Sequence, residues 1–132
     1  MKLCYILGGC FFMNNLVLAY LGDAVYELYI REYLIGSGLV KVNDLQKASL
    51  KYVSATSQRK ILENLENKCV FTEEEQEIIN RGRNADSHKS KNTDIITYKK
   101  ATGLECLIGH LYLKDKARLN EVMKEVINES SW

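Results

Sequence analysis

The 132-residue chain contains no proline at all, and only eight glycines. These two residues are the main interrupters of helices, so such a chain is built most readily from long helices joined by short connections. Apolar residues recur at helical spacing through most of it. A first helix is expected from about Asn15 to Ile35, with Leu18, Leu21, Val25, Leu28 and Ile35 on its inner face and Gly36-Ser37-Gly38 ending it. A shorter helix follows from about Asn43, capped by Asn43 or Asp44. Ser54 opens a third, with Ile61, Leu62 and Leu65 as its stripe. Thr72 and Glu75 have the spacing of a capping box, starting a fourth that carries Ile78 and Ile79. A fifth spans about Thr97 to Leu113, burying Ala101, Leu104, Ile108, Leu111 and Tyr112, and a last one about Ala117 to Asn128. No alternating strand pattern, repeat or linker competes with this layout. The expectation is an all-α helical bundle of one domain over residues 15–132, preceded by a segment, 1–14, to which no role is assigned.

Length and an apolar fraction of 46% suit a globular domain and argue against disorder. The net charge of +1 indicates no nucleic acid by itself, but its distribution is uneven. Acids crowd into Glu73 to Glu77 and bases into Arg81 to Lys100, so a neutral chain can still carry a basic face. Cys4, Cys10, Cys69 and Cys106 match neither a zinc spacing nor a short disulfide framework and read as free thiols in a reducing cytoplasm. Lys2 ahead of Leu3-Cys4-Tyr5-Ile6-Leu7 has the flavour of an export signal, but the apolar run is too short for that or for a membrane span.

Two carboxylates stand out. Asp23 lies in Leu18-Ala19-Tyr20-Leu21-Gly22-Asp23-Ala24-Val25 and Glu105 in Thr102-Gly103-Leu104-Glu105-Cys106-Leu107-Ile108. A carboxylate on an apolar helix is costly unless it is paired or holds a metal. Crossing helices would bring the two together, and oxygen-only ligands suit magnesium, with manganese able to substitute. Each acid can equally cap, pair with an arginine or face solvent, and Glu27 is best placed to pair with Arg31 one turn on. From Arg81 to Asp94 the periodicity breaks into a polar, basic stretch, which reads as a loop of functional length.

Leu21-Gly22-Asp23-Ala24-Val25 followed by Glu27-Leu28 resembles the signature helix of the ribonuclease III family. Ala101-Thr102-Gly103-Leu104-Glu105-Cys106-Leu107-Ile108-Gly109 resembles the second acidic helix of that family, in the right order and at the right separation. Asn15 to Ala24, Arg81-Gly82-Arg83-Asn84 and Lys91-Asn92-Thr93-Asp94 are similar to the Mini-ribonuclease III class, bacterial enzymes that lack a separate double-strand RNA-binding domain. None is expected to follow the last helix here. The chain departs from the wider family at Leu16, Ala19 and Thr102, where acids are usual, so of the family's acids only Asp23 and Glu105 match.

The resemblance implies a ribonuclease III-type homodimer with Leu16, Ala19 and Tyr20 at its interface. It implies a Mg²⁺-dependent endonuclease, Mn²⁺ serving in its place, that hydrolyses double-stranded RNA to 5′-phosphate and 3′-hydroxyl ends. Asp23 and Glu105 would be both its catalytic and its metal-binding residues. The expected substrate is the large-subunit ribosomal RNA precursor, placing the enzyme in ribosome biogenesis in the cytoplasm. Arg81, Arg83, Lys89, Lys91, Lys99 and Lys100 are expected to meet phosphates, and Asn84, Asn92 and Thr93 sugar hydroxyls. His88 lies among them, whereas His110 reads as a packed helix residue. Two rival readings stand beside this one. A ribonuclease III-like domain that binds structured RNA without cutting it would explain the missing acids, and a helical protein-interaction domain would explain the fold but not the basic loop.

Overall fold

Asn14 caps the first helix: its side-chain oxygen accepts from the Leu16 amide at 2.7 Å and opens α1, Asn15–Gly36. The computed structural model describes residues 14–85 and 94–129. Among them it contains α1, α2 (Val42–Val53), α3 (Ala55–Asn67), α4 (Glu73–Arg83), α5 (Ile95–Lys114) and α6 (Lys116–Glu129), and no strand. Gly38, at φ +100, ends the first helix where the Gly-Ser-Gly cluster predicts. Ser54 caps α3 through the Ser57 amide, and Thr72 and Glu75 form both bonds of the capping box of α4. α2 departs from expectation. It starts at Val42 after Lys41, which gives no side-chain cap, and Asp44 lies in its first turn.

α5 is the central element. It packs along α1 on one side and against α4 and α3 on others, with α6 closing the far end. Its sequence explains this: Ala101, Leu104, Cys106, Leu107, Ile108 and Leu111 leave almost no polar face, as expected of a helix surrounded by others. The core around it comprises Tyr26, Ile30, Ile61, Leu62, Leu65, Ile79, Leu119 and Met123. The inner face of α1 is only partly the one the spacing suggested: Leu18 and Val25 are buried as expected and Leu21 packs against the core. Leu28 and Ile35 are exposed, while Tyr26, Ile30 and Leu34 are buried. Tyr26 misleads because its hydroxyl, buried with the ring, donates to the Tyr52 carbonyl at 2.7 Å. Tyr112 is half-buried rather than buried. α4 also runs one turn further than expected, so Arg81 and Arg83 belong to a helix rather than to a loop.

Glycines let the central helix come close to its neighbours. A Cβ on Gly22 would lie 1.7 Å from the Glu105 carbonyl oxygen, and one on Gly109 would lie 2.1 Å from that of Leu18. Backbone thus meets backbone where α1 crosses α5. Elsewhere a half-buried ion pair ties α6 to α4: the Arg118 guanidinium donates to Glu75 at 2.8 and 2.9 Å and to the Val70 carbonyl at 2.8 Å. Opposite charge holds the Glu75 carboxyl below its ordinary range despite burial.

Candidate active site

The crossing of α1 and α5 sets the chemistry, because Asp23 follows Gly22 directly and Glu105 is the residue whose carbonyl Gly22 faces. The two carboxyls lie within hydrogen-bonding reach of each other. They differ in setting. Asp23 is exposed, so the desolvation argument made from sequence applies to Glu105 alone, which is half-buried. Burial first, and then the neighbouring Asp23 charge, push the Glu105 carboxyl up to about 8. No third Asp, Glu, His or Cys joins them among the described residues.

Two residues that the sequence did not single out, Gln58 and Tyr26, complete the site together with the crossing glycines. Gln58, on α3 and 2% exposed, places its side-chain nitrogen 3.5 Å from a Glu105 carboxylate oxygen. Tyr26, on α1, lies one turn beyond Asp23, and its hydroxyl is held far above its ordinary value by burial and then by the Glu105 charge. Gly22 and Gly109 supply the close approach. A polar residue at the head of the Ile61, Leu62, Leu65 stripe is the sequence signal that marks Gln58.

Thr102, where the wider family carries an acid, is buried and donates its hydroxyl back to the Tyr98 carbonyl at 2.9 Å, away from ligand duty. Glu27 pairs with Arg31 at 3.6 Å, as expected for neighbours one turn apart. The donor set of two adjoining carboxylates is all oxygen, and among the described residues neither is paired with a Lys or Arg. Two like charges held side by side are poorly placed unless a cation or a proton lies between them. Their chemistry fits a hard divalent ion such as Mg²⁺ or Mn²⁺. Cys106 is no nucleophile: burial pushes its thiol up to about 11. His110 is half-buried, and burial holds its imidazole below its ordinary value.

Of the residues expected to meet RNA, Arg81, Arg83 and Asn84 gather at the C-terminal end of α4, with Arg81 and Asn84 exposed. The stem of Arg83 crosses Gly103 of α5, where an added Cβ would lie 2.7 Å from Arg83 Cγ. Lys99 is exposed one turn before Gly103. Lys89, Lys91, Asn92, Thr93 and His88 lie outside the described residues. Lys100 is bonded to Glu63 and so is committed within the fold. Arg59 bonds Glu63 at 3.2 Å and Thr97 at 3.0 Å, fastening α3 to the start of α5. Of the expected interface residues, Ala19 packs into its own chain's core, Leu16 is half-buried, and Tyr20 projects with 84% of its surface exposed. Ala19 therefore offers a partner almost no surface.

Comparison with known proteins agrees with this arrangement. The family pattern described as Ribonuclease III domain matches residues 16–116. The Mini-ribonuclease 3 of Staphylococcus aureus is 48% identical over 117 residues, covering 87% of this chain and 87% of that protein. That of Symbiobacterium thermophilum is 49% identical over 111 residues, covering 83% of this chain and 84% of its own. The crystal structure of a Fusobacterium nucleatum protein, 33% identical, superposes with a TM-score of 0.76 over 87% of this chain and 93% of that one. Fold, acid pair and similarity converge: the chain belongs to the ribonuclease III family, in its Mini-ribonuclease III class.

Proposed function

We propose that this endoribonuclease of the ribonuclease III type cuts double-stranded RNA with a divalent cation held by Asp23 and Glu105. The observation that carries the reading is the pair itself, two carboxylates brought side by side by a glycine crossing. A bound Mg²⁺ or Mn²⁺ would lower the pKa of a coordinated water and draw charge from the phosphoryl oxygens. Asp23, the exposed member, is placed to orient the attacking water, while Glu105 anchors from the half-buried side. Water oxygen bonds to phosphorus as the bond to the 3′ oxygen breaks, leaving a 5′-phosphate and a 3′-hydroxyl that takes up the proton.

Duplex RNA is gripped through phosphates and 2′-hydroxyls rather than base edges. Arg81, Arg83, Asn84 and Lys99 supply such contacts from α4 and α5, with Lys89, Lys91, Asn92 and Thr93 between them in sequence. Two copies would cut the two strands, and the apolar stripe Val17, Tyr20, Leu28 and Ile35 along the outside of α1 supports a homodimer. Among the described residues no helix is long and apolar enough to cross a membrane. Similarity to the Mini class extends the proposal to precursor ends of large-subunit ribosomal RNA in the cytoplasm.

The test is incubation of the purified protein with long double-stranded RNA in Mg²⁺, with EDTA and Asp23→Asn as controls. Cleavage is expected to need both the metal and Asp23, while Asp23→Asn still binds the duplex. Binding without cleavage by the unaltered protein would favour the non-cutting RNA-binding module instead.

A further inference from the structure

The inner face of α3 consists of Gln58, Ile61, Leu62 and Leu65. The three aliphatic residues are fully buried and Gln58 is 2% exposed. An amide in that position is expensive to desolvate and adds nothing to packing that an aliphatic side chain of the same length would not. Its nitrogen faces a single described acceptor, a Glu105 carboxylate oxygen, at 3.5 Å. Arg59, the next residue, bonds Thr97 at 3.0 Å and lies 3.8 Å from Asp94, so the backbone carrying Gln58 is fastened to the same helix that carries Glu105.

We propose that Gln58 is a positioning residue of the cleavage reaction, its buried amide holding the Glu105 carboxylate in the orientation that takes the cation. The proposal rests on the reading that Asp23 and Glu105 bind a divalent ion. A glutamate side chain has three rotatable bonds, and the adjacent Asp23 charge repels it. An N–H donor from a different helix restricts the carboxylate without competing for the metal, since an amide nitrogen is not a ligand for a hard cation. At 3.5 Å the bond is long, so direction matters more than strength. The bond also favours the ionised carboxylate, against burial and the Asp23 charge. Groups that orient metal ligands in this way typically change affinity or activity by about 10- to 100-fold.

The experiment is Gln58→Met, which keeps length and volume and removes the donor. Mn²⁺ binding is measured by isothermal titration calorimetry beside urea unfolding and cleavage kinetics. The expected result is a Mn²⁺ Kd weakened about 10-fold or more, an unfolding midpoint equal to or above that of the unaltered protein, and a lower kcat with unchanged KM for RNA at a fixed, subsaturating Mg²⁺. Unaltered Mn²⁺ affinity and kcat in a folded variant would overturn the proposal. If Gln58→Met fails to fold, the unaltered protein decides. Its Gln58 side-chain amide resonances must shift on Mg²⁺ titration, and resonances that stay put overturn the proposal. An unaltered protein that takes up no Mn²⁺ overturns the metal reading and this inference together, a result distinct from a loss confined to the variant.

Discussion

Glu105 holds its proton to unusually high pH because burial and the Asp23 charge both disfavour its ionised form. Its folded value is raised from 4.5 to about 8, so between those values the folded state binds a proton that the unfolded state has released. Stability from this group is therefore lost as pH rises through that window, and the loss is complete above it. In EDTA, the urea midpoint of the unaltered protein should fall relative to that of Glu105→Gln as pH rises from about 4.5 to about 8, and added Mg²⁺ should narrow the gap. Parallel curves would show that the Glu105 carboxyl is not shifted upward by folding. Cys69 is held in a backbone conformation that side chains disfavour. It sits at φ +56 just past α3, where its amide bonds the Glu66 carbonyl at 3.0 Å and the Val70 amide bonds Leu65 at 3.1 Å. This helix-ending turn favours glycine, so Cys69→Gly should raise stability by about 1 kcal/mol in urea unfolding. Nothing in the sequence marked the turn, because the residue that usually announces it is missing.

At the scale of elements, the caps and the glycine cluster were legible because they are local: Ser54, Thr72 with Glu75, and Gly36-Ser37-Gly38 act on neighbours a few residues away. The acids were legible only through resemblance, since spacing alone left salt bridges and caps open. Gln58 was missed because its reason is tertiary, an acceptor 47 residues distant. The inner face of α1 was misjudged for a related reason: Tyr26 buries a polar hydroxyl that finds its acceptor only on α2. The two glycines of α1 looked alike in sequence, yet they have unequal weight. Gly22→Ala would drive a methyl into the Glu105 carbonyl, forcing α1 and α5 apart. It should cost several kcal/mol in urea unfolding and abolish RNA cleavage, as overpacking without room to relax does. Gly36→Ala meets nothing within 4 Å and should be neutral or stabilising by up to about 1 kcal/mol, with cleavage unchanged.

For the whole molecule, composition and periodicity were enough to give the helical class, because a chain without proline imposes few breaks. They could not give the outer surface. Tyr20, 84% exposed between Val17 and the further stripe of α1, is the side chain on which the proposed dimer depends most. Tyr20→Asp should shift the protein from dimer to monomer in sedimentation velocity while its helical circular dichroism stays intact, and a dimer that persists would place the interface elsewhere. The central position of α5 has one more consequence, for the order in which the chain is made. Residues 95–114 leave the ribosome after α1, α2, α3 and α4. Until then the buried face of α1 has only α2 and α4 to lie against and lacks its main partner, and the crossing at Gly22 cannot form. The nascent chain must carry much of its apolar surface uncovered until α5 is made, and then gain the centre of its core and its acid pair in the same late step.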